Sequence, residues 1–225
     1  MRVGIIIFPG SNCDLDTYWA LQLAGLEPVF LWHKEKDLKN VSAVILPGGF
    51  SYGDYLRAGA IAKFSPIISS VYDFAEKGGL VLGICNGFQI LLEMGLLPGA
   101  MLPNNTNTFI CKPVYLRVEN NNVKFLSRYE EGEIIKLPIA HKEGRYYIPE
   151  KELELLEKNR QVVLRYCTEN GEVNEKSNPN GSLNNIAGIV NRRGNVMGMM
   201  PHPERAVEKI LGSDSGLRLF LSLIN

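Results

Sequence analysis

Cys85 is the residue whose surroundings most clearly suggest chemistry. It stands in the pattern G-x-C-x-G, from Gly83 to Gly87, between an apolar run at 80–84 and a helical stretch at 88–94. A tight strand-to-helix turn of this kind exposes a nucleophile, and glycines two positions away avoid a clash. The N–H groups of the following helix favour the thiolate. The same pattern also fits a glycine-flanked strand end with an inert buried cysteine.

A possible base for this cysteine stands near the C-terminus, in the sequence P-H-P-E-R at 201–205. The chain has three histidines, so few pairings with Cys85 exist. The prolines on either side of His202 favour an extended chain, in which residues two apart point to the same side. Glu204 is therefore predicted to accept a hydrogen bond from His202, as in a catalytic triad. The alternative is a rigid surface turn with a solvated glutamate.

A glycine-rich segment at 47–59 follows another buried strand. Adjacent glycines allow backbone N–H groups to approach a ligand closely. This turn can supply one oxyanion donor, and the N–H of Asn86, next to Cys85, can supply the other. The segment lacks GxxxxGK[ST], which excludes a nucleotide P-loop.

The elements around these motifs predict an α/β fold. Strand-like runs alternate with helices through the first 95 residues, which favours a parallel sheet covered on both faces. The first helix is predicted from the helical spacing of Leu15, Trp19, Leu23 and Leu26. The second half is predicted as short strands with polar connections, closed by an amphipathic helix. The predicted strands are 3–8, 28–32, 41–46, 80–84, 114–118, 133–138, 145–148, 161–167, 186–190 and 196–200, and the predicted helices include 14–26, 88–94 and 215–224.

Composition limits the possible partners. The chain has 225 residues, 45% of them apolar, and 24 basic residues balance 24 acidic ones. We expect one domain over residues 1–225, with no binding to nucleic acid or membrane. The first apolar run is too short to span a bilayer, and we expect a cytoplasmic protein. The four cysteines show no zinc-type spacing, so we expect no metal site and no disulfide framework.

Several segments together resemble the class I (triad) glutamine amidotransferases, most closely those that serve purine biosynthesis. They cover nearly the whole chain, and the most specific are G-F-S-Y-G-D-Y-L-R-A-G and P-H-P-E-R. The segments are 8–14, 47–60, 83–91, 138–141, 143–145, 178–182, 185–189 and 198–205. The resemblance implies an open, mostly parallel, flavodoxin-like sheet flanked by helices, with an extra antiparallel region in the second half.

The resemblance also implies roles for residues. Cys85 attacks the glutamine side-chain amide, His202 transfers protons and Glu204 orients it. Gly49 and Asn86 are the oxyanion donors, and Gln89 and His141 contact the substrate. The family usually has glycine at position 142, where this chain has Lys142, which leaves the local backbone and the role of His141 open.

The implied partners are an ATP-dependent synthetase subunit, which receives the ammonia, and a further small subunit. ATP and magnesium are expected on the synthetase, and no cofactor on this chain.

Two rival interpretations remain. A peptidase-like or stress-response hydrolase of similar fold usually has a histidine directly after the cysteine, where this chain has Asn86. A non-catalytic binding subunit would need a broken triad, and all three residues are present.

Overall fold

The computed structural model describes residues 1–224, and within them five parallel strands form one half of a nine-stranded sheet. Their order is β2-β1-β3-β4-β11. Every residue of β3 and β11 is buried, so both faces of the sheet are covered there. The bounds are β1 Arg2–Ile7, β2 Glu27–Trp32, β3 Ala43–Leu46, β4 Leu80–Ile84 and β11 Val196–Met199.

Four antiparallel strands extend this sheet beyond β11, in the order β10-β9-β6-β7. The longest pair is β6 with β7, whose register runs from Ile110 opposite His141 to Arg117 opposite Ile134. A separate antiparallel pair consists of β5 and β8. The bounds are β5 Ala100–Leu102, β6 Ile110–Val118, β7 Ile134–His141, β8 Arg145–Tyr147, β9 Val162–Cys167 and β10 Ile186–Val190.

The first three helices pack against the parallel half. The third is the most enclosed, because each of its residues from Asn86 to Leu92 is buried against the sheet. The first and fifth helices contact each other as well as the sheet or its adjoining turns. The bounds are α1 Asp14–Leu23, α2 Ile67–Glu76, α3 Asn86–Glu93, α4 Glu150–Lys158 and α5 Leu217–Leu221. No helix within residues 1–224 is long and apolar enough to cross a membrane.

The predicted open, mostly parallel sheet with an antiparallel region in the second half is confirmed. The predicted helix 14–26 is present but ends at Leu23, and most of the apolar residues that predicted it are not on its buried face. Leu15, Trp19 and Leu23 are 68%, 49% and 39% exposed. The helix instead buries Thr17, Ala20 and Leu21, because the two small side chains let it approach the sheet closely.

Two other differences lie in the second half. The connection between β8 and β9 contains α4, although the sequence predicts only polar connections there. Its sequence E-K-E-L-E-L-L-E-K follows Pro149 and buries mainly Leu156, so its short apolar face gave a weak signal. At the C-terminus the predicted helix 215–224 is shorter, with α5 followed by a 3-10 turn at Ser222–Ile224.

A glycine in β11 lets α3 pack directly on the sheet. A Cβ atom at Gly198 would lie 2.1 Å from Cδ2 of Phe88, whose buried ring stacks on Tyr146. We expect Gly198→Ala to lower the free energy of unfolding by about 1–3 kcal/mol, because this overpacking separates two elements of the core. Chemical denaturation measures the loss. Adding Phe88→Leu should recover part of it, and strictly additive losses would contradict the proposed steric cause.

Candidate active site

Strands β1, β3, β4 and β11 are neighbours in the sheet, and their carboxyl ends lie at the same edge. Three of them are followed by residues that the sequence predicts to be part of the site. Gly49 follows β3, Cys85 follows β4 and His202 follows β11. The segment after β1 contributes Cys13, which the sequence analysis left without a role. Open α/β sheets bind ligands at this edge, where the strand order changes direction.

Cys85 occupies a strained backbone conformation, with φ of 49° and ψ of −104°. It caps the N-terminus of α3, and its own N–H donates to the carbonyl of Met199 over 2.8 Å. Its sulfur lies 3.7 Å from the carbonyl oxygen of Ala140. A non-glycine residue in such a region costs about 1–3 kcal/mol and persists only where its surroundings hold it. The predicted elbow is therefore present in the structure.

The two glycines of the elbow are required by space. A Cβ atom at Gly83 would lie 2.6 Å from the carbonyl oxygen of Gly87. At Gly87 it would lie 1.9 Å from the carbonyl oxygen of Leu46, in the neighbouring strand. Both obstacles are backbone atoms, which cannot move aside without displacing the turn. The G-x-C-x-G pattern thus follows from close packing of the turn against β3 and α3.

His202 and Glu204 form a buried pair. Nδ1 of His202 lies 2.6 Å from Oε1 of Glu204, and the two side chains are 2% and 0% exposed. The N–H of His202 donates to the carbonyl of Pro138, which fixes the segment against β7. The predicted contact between the two side chains is present. The chain does not remain extended, however, because Pro203–Arg205 forms a 3-10 turn.

The surroundings of His202 favour its protonated form. Burial lowers the pKa of His202, but the carboxylate of Glu204 and the nearby thiols of Cys85 and Cys13 outweigh burial and raise it well above its usual value. The other ring nitrogen, Nε2, is buried and has no hydrogen-bond partner within the described chain. The imidazolium thus carries a proton on Nε2, which has no protein partner within residues 1–224 and is free to donate to a substrate.

Both predicted oxyanion donors, the N–H groups of Gly49 and Asn86, lie beside the thiol of Cys85. Asn86 is the first residue of α3, so its N–H has no acceptor within the helix. The N–H of Gly49 makes no hydrogen bond within residues 1–224. Gly49 has φ of 145°, and a Cβ atom there would lie 2.8 Å from the backbone nitrogen of Asn12. Glycine is therefore needed at position 49 for both conformation and space.

The side chain of Asn86 ties the glycine-rich loop to α3, a role that the sequence analysis did not foresee. Its Oδ1 accepts from the N–H of Ser51 over 3.1 Å. Its Nδ2 lies 2.9 Å from Oε1 of Gln89 and 3.4 Å from Oδ1 of Asp54. One amide thus connects both oxyanion segments. The chemical type of Asn86 was visible in the sequence, but its partners depend on the loop's path.

A cavity of ≈ 270 Å³ opens beside Cys85. Gln89 lines it, as predicted for a substrate contact, and its Nε2 also donates to the carbonyl of Glu143 over 2.6 Å. The volume suits a substrate of amino-acid size. The full lining is Gly49, Phe50, Asp54, Ala58, Cys85, Gln89, Phe109, Ala140, His141, Lys142 and Glu143.

His141 lines the same cavity from the end of β7. Its Nδ1 lies 3.1 Å from Oδ1 of Asn104, whose Nδ2 donates to the carbonyls of Thr108 and His141 itself. This orientation of Asn104 places the ring proton on Nδ1. Burial, followed by the charge of His202, lowers the pKa of His141 to about 4. Nε2 is therefore a buried acceptor at neutral pH, and it has no partner in the described chain.

Lys142 fits the local backbone without strain. It is absent from the residues with positive φ, so a side chain is tolerated at the position where the resemblance implies glycine. Lys142 is exposed at the rim of the cavity, and its carbonyl accepts from the N–H of Asn104. The glycine that His141 needs is Gly144, where a Cβ atom would lie 2.2 Å from the imidazole.

Cys13 and Arg205 lie on the other side of His202. Nη2 of Arg205 donates to the sulfur of Cys13 over 2.8 Å, and the thiol donates to Oδ1 of Asn12. Both residues line a second cavity of ≈ 190 Å³ that also contacts Gly49 and His202. The segment that contains Cys13 was recognised only as part of the resemblance, because a lone cysteine carries no spacing signal.

Comparison with known proteins identifies the family. Residues 1–215 match the family described as CobB/CobQ-like glutamine amidotransferase domain. The chain belongs to the CobB/CobQ-like glutamine amidotransferases. The amidotransferase resemblance predicted from the sequence is thus confirmed.

Comparison with individual proteins shows which members of the family this chain resembles. The amidotransferase is 55% identical over 226 residues to the phosphoribosylformylglycinamidine synthase subunit PurQ of Aquifex aeolicus, with 100% of each chain covered. It is 56% identical to the PurQ subunit of Moorella thermoacetica, with 100% of this chain and 96% of the relative covered. A chain in the structure of PurLQS from Thermotoga maritima matches with a TM-score of 0.89 and 47% identity, over 100% of this chain and 97% of that one.

The buried carboxylate of Glu204 next to His202 predicts that the two residues contribute unequally to turnover. We expect His202→Ala to reduce turnover about 10- to 100-fold more than Glu204→Gln, because the histidine carries the proton and the glutamate only orients and stabilises it. Glu204→Gln should also move the basic limb of the pH–rate profile to lower pH, since the carboxylate raises the pKa of His202. Steady-state glutamine hydrolysis across pH measures both effects.

The matched control is Glu208→Gln, the same chemical change at a half-buried residue that accepts a hydrogen bond from Nε1 of Trp19. It should leave the profile unchanged. Equal losses for His202→Ala and Glu204→Gln in folded proteins would contradict the assigned roles.

Proposed function

We propose that this chain hydrolyses glutamine to glutamate and ammonia, with Cys85 as nucleophile, His202 as proton carrier and Glu204 as its orienting group. The observation that carries the proposal is the strained Cys85 turn beside the buried His202–Glu204 pair. A cysteine used only for packing would need neither a φ of 49° nor a charged pair sealed from solvent.

The first half of the reaction forms a thioester. The sulfur of Cys85 attacks the side-chain amide carbon, and the carbonyl oxygen gains negative charge. The N–H groups of Gly49 and Asn86 stabilise that charge, and each such donor accounts for about 10²–10³-fold in rate. The C–N bond then breaks as the His202 imidazolium gives its proton to the leaving nitrogen. The products are ammonia and a γ-glutamyl thioester on Cys85.

The second half regenerates the enzyme. Neutral His202 takes a proton from water as the oxygen attacks the thioester, and the same two N–H groups hold the second oxyanion. The C–S bond breaks, which releases glutamate and returns Cys85 to the thiolate. Glu204 stabilises the imidazolium in both halves. Every proton accepted by His202 is thus returned, and the chain needs no metal for these steps.

The ammonia serves a synthetase subunit. The relatives named above are phosphoribosylformylglycinamidine synthase subunits, so this chain supplies ammonia for converting formylglycinamide ribonucleotide to formylglycinamidine ribonucleotide in purine biosynthesis. ATP and magnesium bind to the synthetase subunit, and the complex contains a further small subunit. Residues 1–225 act as one amidotransferase domain in the cytoplasm.

Replacing the nucleophile separates the two activities of the complex. We expect Cys85→Ser to abolish glutamine-dependent synthesis and to leave ammonia-dependent synthesis intact, because this chain only generates ammonia. Product formation by the assembled complex, with glutamine or with an ammonium salt, measures both. Cys111→Ser, at an exposed cysteine, is the control and should preserve both activities. Loss of both activities in Cys85→Ser would show a structural role for Cys85.

A further inference from the structure

Asp54 is a carboxylate at the substrate cavity without a cation. It lines the cavity together with Cys85, and it forms no ion pair within residues 1–224. Its Oδ1 lies 3.4 Å from Nδ2 of Asn86, and its Oδ2 accepts no hydrogen bond from the described chain. Burial, followed by the charge of Glu143, raises the pKa of Asp54 to about 6. The protein surroundings of Asp54 thus disfavour its charge.

The neighbouring wall of the cavity also offers acceptors. Glu143 reaches the same cavity, and its Oε2 accepts from the N–H of Ala58 over 3.2 Å. His141 is 3% exposed and presents the unpartnered acceptor Nε2 described above. The one cationic side chain of the lining is Lys142, which is exposed at the rim. Three groups of the lining therefore offer acceptor atoms to a bound substrate, and two of them are anionic when ionised.

We propose that Asp54 recognises the α-ammonium group of the substrate glutamine, assisted by Glu143 and by Nε2 of His141. This inference rests on the proposed function and names the residue that makes it selective for an α-amino acid. A primary ammonium group has three donors and one positive charge, which match the acceptors and the charge of this wall. When it binds, it supplies the cation that Asp54 lacks in the free protein.

Asn86 connects the proposed ammonium site at Asp54 to the part of the site where the substrate amide reacts. The side chain of Asn86 binds Asp54 and Gln89, while its N–H is a proposed oxyanion donor. An ammonium group held at Asp54 fixes the α-carbon, and the γ-amide then extends toward Cys85. Asp54 is therefore a positioning and specificity residue, and it exchanges no proton with the reacting amide.

The test compares two substrates in the assembled synthase. One is glutamine, and the other is 4-carbamoylbutanoate, which is glutamine without its α-amino group. We expect Asp54→Asn to lower kcat/KM for glutamine about 10- to 100-fold, mainly through KM, because it removes a hydrogen bond to a charged group. The value for 4-carbamoylbutanoate should stay within about threefold, since that substrate has no ammonium to bind.

The matched control is Asp73→Asn, the same change at an exposed position of α2. It should leave both substrates unaffected. If Asp54 instead transferred protons, both substrates would lose kcat equally and their ratio would not change, which would overturn the proposal. Ammonia-dependent synthesis and thermal unfolding of Asp54→Asn show whether the complex is intact.

A second measurement needs no variant. In the wild-type protein, the ratio of kcat/KM for glutamine to that for 4-carbamoylbutanoate should rise as pH increases through about 6, because Asp54 then ionises. Titration of His202 affects turnover of both substrates, whereas the ammonium contact affects glutamine alone. A ratio independent of pH and near unity would refute the role of Asp54. Failure of the wild type to hydrolyse glutamine at all would instead refute the proposed function.

Discussion

The forced backbone turn at Cys85 is the constraint on which the active site depends. At φ of 49° the chain reverses from β4 into α3 within one residue, and the sulfur is left at the sheet edge. The turn is held because β3 and α3 close on it so tightly that Gly83 and Gly87 have no room for a Cβ atom. The core therefore maintains a conformation that the residue would not adopt alone. The turn also directs the first N–H of α3, that of Asn86, toward the same edge of the sheet.

The antiparallel half of the sheet supplies the opposite wall of the site. Pro138 in β7 accepts from the N–H of His202, and the carbonyl of Ala140 lies 3.7 Å from the sulfur of Cys85. His141 and Glu143 continue that wall into the substrate cavity. The parallel half thus provides the nucleophile, the oxyanion donors and the segment of the base, whereas the antiparallel half fixes the base in place and closes the pocket. Neither half alone contains a complete site.

Local patterns predicted the parts of this site that depend on the backbone alone. The G-x-C-x-G turn, the His202–Glu204 contact and the strand alternation each arise from short-range geometry, and each is present. Contacts between distant segments were not predictable. The proximity of Cys13 to His202 and the links from Asn86 to Asp54 depend on where loops cross the sheet edge. The apolar spacing that predicted α1 does not mark its buried face, because packing against the sheet favoured its small residues over its larger apolar ones.

The account depends on a covalent bond between Cys85 and the substrate. Its most direct test is to mix the assembled synthase with glutamine, quench in acid during turnover and map the modified peptide by mass spectrometry. We expect one γ-glutamyl group, bound to Cys85, that disappears once glutamine is exhausted. Glutamate formation with no adduct on Cys85, or with the group bound to Cys13 instead, would contradict the account.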